Sequence, residues 1–400
     1  MMRFKKNCIF IIGFCAVLQP LGMDIFVSNL PMMMDFLHFS ESEIQYILVA
    51  FVFASGIPQL FIGYYADKYG RRPLMLATTL GFSIASYLCI STMNLVLLTA
   101  FRFIQGLCAS GCISLSYSVI RDTYSGKESS KKYSQLSCIL AMTPMLAPLL
   151  GTILVDILHN WQSTFGFLVL FSLLTFLITF KFLPETKKAQ ENISSKNTGY
   201  VRKLSKILDN KVFWTFCMCS TTTMTGLFLY FQIGSIVLLE RLHIDSYTYS
   251  YLFAINAICY LSANYLASKL VHRLTIITLV SSGNLLVVGG ALIMMMLNLT
   301  LGLSAISFVI GNVLITIGGG LMTDPATSAA LEPFPNEAGF ASGVFGAIQY
   351  GLPALIGFFV TRFEITSAAN LALPMLCLSL LNLGLLLHYA CSAQKECAAT

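Results

Sequence analysis

Apolar residues run along this chain in blocks of about twenty, with no strict alternation, and polar residues collect between the blocks. Blocks of that length match what a helix needs to cross the hydrocarbon of a bilayer. Twelve are read: 8–31, 44–66, 73–91, 94–120, 133–157, 162–183, 212–239, 247–268, 275–297, 302–324, 339–361 and 368–390. One long hydrophilic interval, Pro184 to Lys211, leaves six spans on either side of it. The predicted architecture is therefore all-α: a polytopic membrane protein of two six-helix bundles, 1–183 and 212–400, joined by a cytoplasmic loop over 184–211.

Charge placement supplies an orientation. Of the 24 Lys and Arg residues, all but three fall at the ends that an even span count puts on the side of the N-terminus. Arg241 and Arg362 lie on the opposite side, and Arg102 lies within a span. The positive-inside rule then places both termini in the cytoplasm. Composition agrees: 56% of residues are hydrophobic, only 10% are charged, and the mean hydropathy is +0.77. The net charge of +6 reads as topology and not as nucleic-acid binding. Most of the 12 cysteines sit in apolar runs, as small buried hydrophobes, so neither a disulfide framework nor a metal site is expected. The N-terminal Arg3, Lys5 and Lys6 precede an apolar run with no small-residue cleavage site, so the first span is expected to be retained. In the central loop Val201, Leu204 and Leu208 share a face flanked by Arg202, Lys203 and Lys206, the pattern of a short basic helix lying on the membrane surface or of a plain linker.

Two charges fall plainly inside the membrane. Counted along their helices, Asp24 lies about 10 Å and Arg102 about 12 Å below the outer surface, so their depths match. Such a pair is a candidate proton-driven switch, a static ion pair being the alternative. Gln105 shares a face with Arg102 and is placed in the cavity or in an interhelical hydrogen bond. Pro144 and Pro148, one turn apart, predict a bent fifth span, and Gly339, Gly343, Ala347 and Gly351 form a small-residue ladder on the eleventh. The second half has no mid-membrane charge by this count; Asp324, before Pro325, reads as an interfacial or capping residue. Uncharged polar and aromatic groups at cavity depth, namely Phe26, Gln105, Tyr230, Asn256, Tyr260 and Gln349, are the candidate substrate contacts. The five histidines lie at span ends or in loops, and neither a nucleophile elbow nor a phosphate-binding loop occurs, so no enzymatic activity and no cofactor are expected.

The turn from Gly63 to Leu76, GYYADKYGRRPLML, aligns Gly63, Asp67, Gly70, Arg71 and Arg72, and it closely resembles the loop signature of the major facilitator superfamily. That resemblance implies a cytoplasmic latch, with Asp67 set against the helix start near Asn336 to Gly339. Further stretches resemble the bicyclomycin and chloramphenicol resistance (Bcr/CflA) drug exporters of that superfamily. They are Met23 to Pro31, Arg102 to Gly106 running on to Asp122, Leu183 to Thr186, and Glu337 to Ser342. Ala147 to Thr152 is similar to their antiporter motif through Pro148 and Gly151, with Ala147 and Thr152 where glycine is usual; Trp161 and Phe165 match the following motif, with Gln162 in place of arginine.

The resemblance implies a proton-coupled efflux transporter of small lipophilic drug-like compounds in the bacterial inner membrane, working by alternating access as a monomer. Its partners would be the substrate, protons and the lipid bilayer, with no nucleic acid. Two alternatives stay open: a proton-coupled metabolite transporter on the same fold, and a transport-inactive sensor or scaffold.

Overall fold

The computed structural model describes residues 2–186, 200–363, 365 and 367–399. Among these the regular structure is helical throughout. Among the described residues eleven helices are long and apolar enough to cross a membrane. A further helix of 25 residues, Ser246–Leu270, has the length but is diluted by tyrosines, Asn256 and Asn264. This accounts for the difference from the twelve spans expected, and the overall pattern is consistent with a twelve-helix transporter fold.

The chain divides into two compact units. The first comprises Met1–Ser194 with Asp245–Ala254, and the second Ser195–Ile244 with Ile255–Thr400. The first holds α1 (Met2–Asp24), α2 (Leu30–Leu37), α3 (Glu41–Tyr69), α4 (Arg71–Ile90), α5 (Leu95–Thr123), α6 (Gly126–Leu158), α7 (Gln162–Phe182) and the first turns of α10 (Ser246–Leu270). The second holds α8 (Tyr200–Leu208), α9 (Lys211–Ser235), the rest of α10, α11 (Ile276–Leu301), α12 (Ala305–Leu331), α13 (Ala338–Val360) and α14 (Ala369–Ala399). Residues 187–199 of the expected central loop lie outside the described residues.

Helix ends are set by local chemistry. Ser40 and Glu43 form a reciprocal capping box at the start of α3, Asn94 caps α5 through the Val96 and Leu97 amides, and Asn210 caps α9. Asp245 accepts from the Thr248 amide at 2.9 Å to start α10. The Thr248 hydroxyl and that amide hold the Asp245 carboxyl below the usual carboxylate range. Gly70 takes φ +98°, a conformation open to glycine, and so turns α3 directly into α4.

The first apolar run, expected as one helix over 8–31, is broken in the structure. Regular α1 stops at Asp24, a short 3-10 turn covers Val27–Asn29, and α2 begins again at Leu30. Pro31 lies in the first turn of α2, where its missing N–H removes nothing, so the chain restarts there without penalty. Asp324 also differs from expectation. It neither caps nor ends a helix, because α12 runs seven residues past it to Leu331 with Pro325 carried inside.

Close packing marks which backbone surfaces must meet. In the second unit Gly283 and Gly290 of α11 face Gly318 and Gly311 of α12; a methyl on Gly318 would stand 2.5 Å from the Gly283 carbonyl oxygen. This contact is tighter than anything at Gly351 in the ladder read on α13, where a methyl would meet open space. In the first unit Gly151 of α6 lies directly against the Ile25 carbonyl, in the turn that follows Asp24, and Gly106 of α5 against the Phe51 carbonyl of α3. A side chain at Gly151 must push the broken segment away. Gly151→Val is expected to cost about 1–3 kcal/mol by overpacking and to lower the unfolding temperature in detergent, whereas Gly166→Ala, which faces open space, leaves it unchanged. Equal unfolding temperatures for the two variants would contradict the contact.

Candidate functional site

Asp24 is the last residue of α1 and only 4% exposed, at the point where the first span passes from α-helical to 3-10 hydrogen bonding. Discontinuous spans of this kind gather polar backbone and side-chain groups deep in the membrane, where binding sites of transporters are built. Arg102, on α5, is fully buried. The two do not form an ion pair: among the described residues no Lys, Arg or His nitrogen lies within 4.0 Å of the Asp24 carboxyl.

The guanidinium is held by neutral partners instead. Its Nη1 donates to the Gly22 carbonyl of α1 at 2.9 Å and to Oε1 of Gln105. Gln105 Nε2 passes the chain on to Ser86 Oγ of α4 at 2.7 Å, and Ser86 donates to the Phe82 carbonyl at 2.7 Å. The flat faces of the guanidinium lie against the rings of Phe26 (4.4 Å) and Phe51 (4.3 Å), with Phe165 at 5.8 Å. Such stacking offsets part of the burial of a cation. Nε and Nη2 remain without a hydrogen-bond partner.

The segment after Asp24 is braced by hydroxyls within the first unit. Ser28 Oγ donates to the Pro148 carbonyl at 3.1 Å, Ser246 Oγ donates to the Ser28 carbonyl at 3.1 Å, and Thr152 Oγ1 lies 3.1 Å from Ser250 Oγ. Thr152, where the resembling motif has glycine, thus supplies a side-chain contact to α10. A cavity of about 570 Å³, lined by Ser28, Asn29, Asp35, Phe36, Val155 and Ser246, adjoins the break. Asn29 Nδ2 is buried there without a hydrogen-bond partner.

Four of the six candidate substrate contacts are engaged in packing. Phe26 and Gln105 serve Arg102; Tyr230 is 1% exposed and stacks on Phe308 at 5.8 Å; Asn256 accepts from Asn312 Nδ2 at 2.9 Å and Thr316 Oγ1 at 2.8 Å. Tyr260 and Gln349 stay partly exposed, Gln349 donating to Ser220 Oγ at 3.1 Å.

At the basic end of the first unit, Arg71 bridges Asp67 (2.6 Å) and Asp122 (2.9 Å). Glu185 accepts from the backbone amides of Arg71 (2.9 Å) and Arg72 (3.2 Å), so its carboxylate caps α4. Arg72 reaches the Phe180 carbonyl at 2.8 Å. A methyl on Gly63 would meet open space, whereas one on Gly70 would collide with Glu185. The cluster therefore ties α3, α4, α5 and the end of α7 together. Sequence reasoning assigned no role to Ser86, Ser28, Thr152 or Glu185; the Pro-Glu-Thr match at 184–186 was the one available signal for the last.

A first span interrupted at an internal carboxyl, in one of two helical units, is an arrangement found in membrane transporters. The profile of the Major Facilitator Superfamily matches residues 12–358, and the chain belongs to that superfamily. It is similar to a bicyclomycin resistance protein homolog of Haemophilus influenzae, 25% identical over 385 residues and 94% of each chain. It is also similar to a chloramphenicol resistance protein of Pseudomonas aeruginosa, 27% identical over 342 residues, 85% of this chain and 80% of that one. Among solved structures a D-xylose-proton symporter shares the fold, with a TM-score of 0.74 at 15% identity over 95% of this chain and 97% of that one.

The chain from Gly22 through Arg102 and Gln105 to Ser86 predicts an order of effects. Gln105→Leu removes an acceptor from a buried cation and a donor from Ser86, and is expected to lower stability by about 1–3 kcal/mol. Ser86→Ala removes one neutral bond and is expected to lower it by about 1 kcal/mol. Thermal unfolding in detergent checks the order; a neutral Gln105→Leu would contradict it.

Proposed function

We propose that this protein is a proton-coupled exporter of small lipophilic drug-like compounds, working as a monomer by alternating access in the bacterial inner membrane with both termini in the cytoplasm. The observation that carries the reading is the buried Asp24 carboxyl at the end of α1, the helix whose Gly22 carbonyl accepts from a buried arginine that has two idle nitrogens. A carboxyl there can hold or give up a proton, and Arg102 Nε and Nη2 are the donors its charged form would recruit. The arrangement seen here, with Arg102 engaging neutral acceptors only, suits a protonated Asp24. Losing the proton would draw the carboxylate toward the guanidinium and pull on the Ile25 to Asn29 segment, which is braced on α6 and the start of α10.

The cavity beside the break supports an outward route for protons and product, since its size is that of sites for drug-like molecules, about 300–1,000 Å³. Its walls mix apolar surface with a few polar groups, which suits lipophilic cargo better than sugars. The resistance proteins to which the chain is similar support drug export as the direction and class. The Gly63, Asp67, Gly70, Arg71 and Arg72 turn would act as the cytoplasmic latch, with Asp122 and Glu185 holding it in shape. Pro148 and Gly151 would let α6 bear on the moving segment.

Asp24→Asn keeps the size of the side chain and removes its titration. In inverted membrane vesicles under an imposed pH gradient it is expected to abolish uphill transport of amphenicols and lipophilic cations while the protein remains folded by size-exclusion profile. Undiminished uphill transport by the variant would refute the assignment.

A further inference from the structure

The short helix α2 shows two different faces. Leu30, Met33 and Leu37 are buried, whereas Pro31, Met32, Asp35 and Phe36 line the cavity beside the break. At about 100° per residue the two sets lie on opposite sides of the helix. Pro31 and Asp35 stand one turn apart, as do Met32 and Phe36, so the four form one continuous surface. The facing wall comes from α6 and the start of α10, through Val155 and Ser246. A carboxylate, an aromatic ring and apolar side chains therefore border a single space of about 570 Å³.

The ring is set by packing. Phe36 lies against Trp161, ring centroids 6.3 Å apart, and the buried Trp161 meets Phe165 edge-on at 6.0 Å. The carboxylate is uncommitted, since Asp35 is exposed and makes no ion pair among the described residues. A second carboxylate is fixed next to the opposite wall: Asp156, which follows Val155, accepts from the Tyr247 hydroxyl at 3.1 Å. The acids at this end of the first unit are Asp35, Glu41, Glu43, Asp156 and Asp245, two of which, Glu43 and Asp245, serve as helix caps. The unit's Lys and Arg residues, Arg102 apart, all belong to the other end of its helices, with Arg71 and Arg121. The field at the cavity is therefore negative. The hydroxyls in its wall add to that sign. Ser28 donates to the Pro148 carbonyl and Ser246 to the Ser28 carbonyl, so both turn oxygen lone pairs, and not protons, to an occupant.

We propose that this cavity is a holding site for lipophilic organic cations, with Asp35 as the counter-charge and Phe36 as the ring surface. It rests on the transport reading above and deepens it, by giving cationic cargo a carboxylate other than Asp24 on the outward route. A delocalised monovalent cation is attracted by the carboxylate and by the ring face, while its apolar body covers Pro31, Met32 and Val155. A neutral compound gains the apolar contact and nothing from the charge.

The test uses the purified full-length protein in detergent and in proteoliposomes, with tetraphenylphosphonium as the cation and chloramphenicol as the neutral compound. Asp35→Asn is expected to weaken tetraphenylphosphonium binding by about tenfold or more and to leave chloramphenicol binding within about twofold. Asp35→Glu, which keeps the charge, is expected to bind the cation as the wild type does, and this separates lost recognition from misfolding. Glu41→Gln removes a charge from the same end but outside the cavity, and is expected to change cation binding by less than about twofold. Equal cation binding by the wild type and Asp35→Asn, an equal loss in Glu41→Gln, a parallel loss for both compounds that Asp35→Glu does not restore, or a wild type that fails to bind the cation would each overturn the site. If the cation is bound through Asp35 yet no pH gradient drives its movement in proteoliposomes, the site stands and the transport reading falls. Gradient-driven movement with cation binding indifferent to Asp35 gives the reverse.

Discussion

A fully buried arginine is the constraint on which the first unit is built. Arg102 must be met by acceptors and by polarisable surface or the bundle will not close around it. Every element near it shows the consequence: α1 lends the Gly22 carbonyl, α5 lends Gln105, α4 supports Gln105 through Ser86, and three phenylalanines supply ring faces. Because the accommodation is incomplete, two nitrogens remain idle. The site thus folds with its cation only partly satisfied.

The break after Asp24 joins that electrostatic arrangement to a mechanical one. A continuous helix would pass a change at Asp24 along its axis as a rigid rod. A helix that ends at Asp24, passes through a 3-10 turn and restarts at Leu30 presents a short separate segment, and Gly151 and Ser28 hold it directly against α6. The absence of a side chain at Gly151 is therefore a condition of contact between the segment after Asp24 and α6. Thr152 next to it adds a hydroxyl contact to the first turns of α10. A small residue and a polar one thus divide the work of packing and clasping at adjacent positions.

Much of this was legible in the sequence because membrane proteins write their architecture in long apolar blocks and in the placement of Lys and Arg. The spans follow from such counts, and the turn at Gly70 from its motif. What was not legible depends on side-chain direction. Phe26, Gln105, Tyr230 and Asn256 fall at cavity depth by residue count, yet rotation about their helices turns them into packing contacts, and depth alone carries no information on that rotation. Matching depth likewise did not reveal that Arg102 would take neutral acceptors in place of Asp24. The interruption was hidden because Ile25 to Leu30 is mostly apolar, and the end of α12 was set short at Asp324, whereas the helix carries Pro325 inside and runs on to Leu331.

The account depends most directly on proton exchange at Asp24 being tied to occupancy of the protein by its cargo. That link is measured by adding tetraphenylphosphonium or chloramphenicol to the purified protein in weakly buffered detergent solution and following the pH. The account predicts proton release on binding by the wild type and none by Asp24→Asn. Release of the same size from Asp24→Asn, with binding intact, would contradict it.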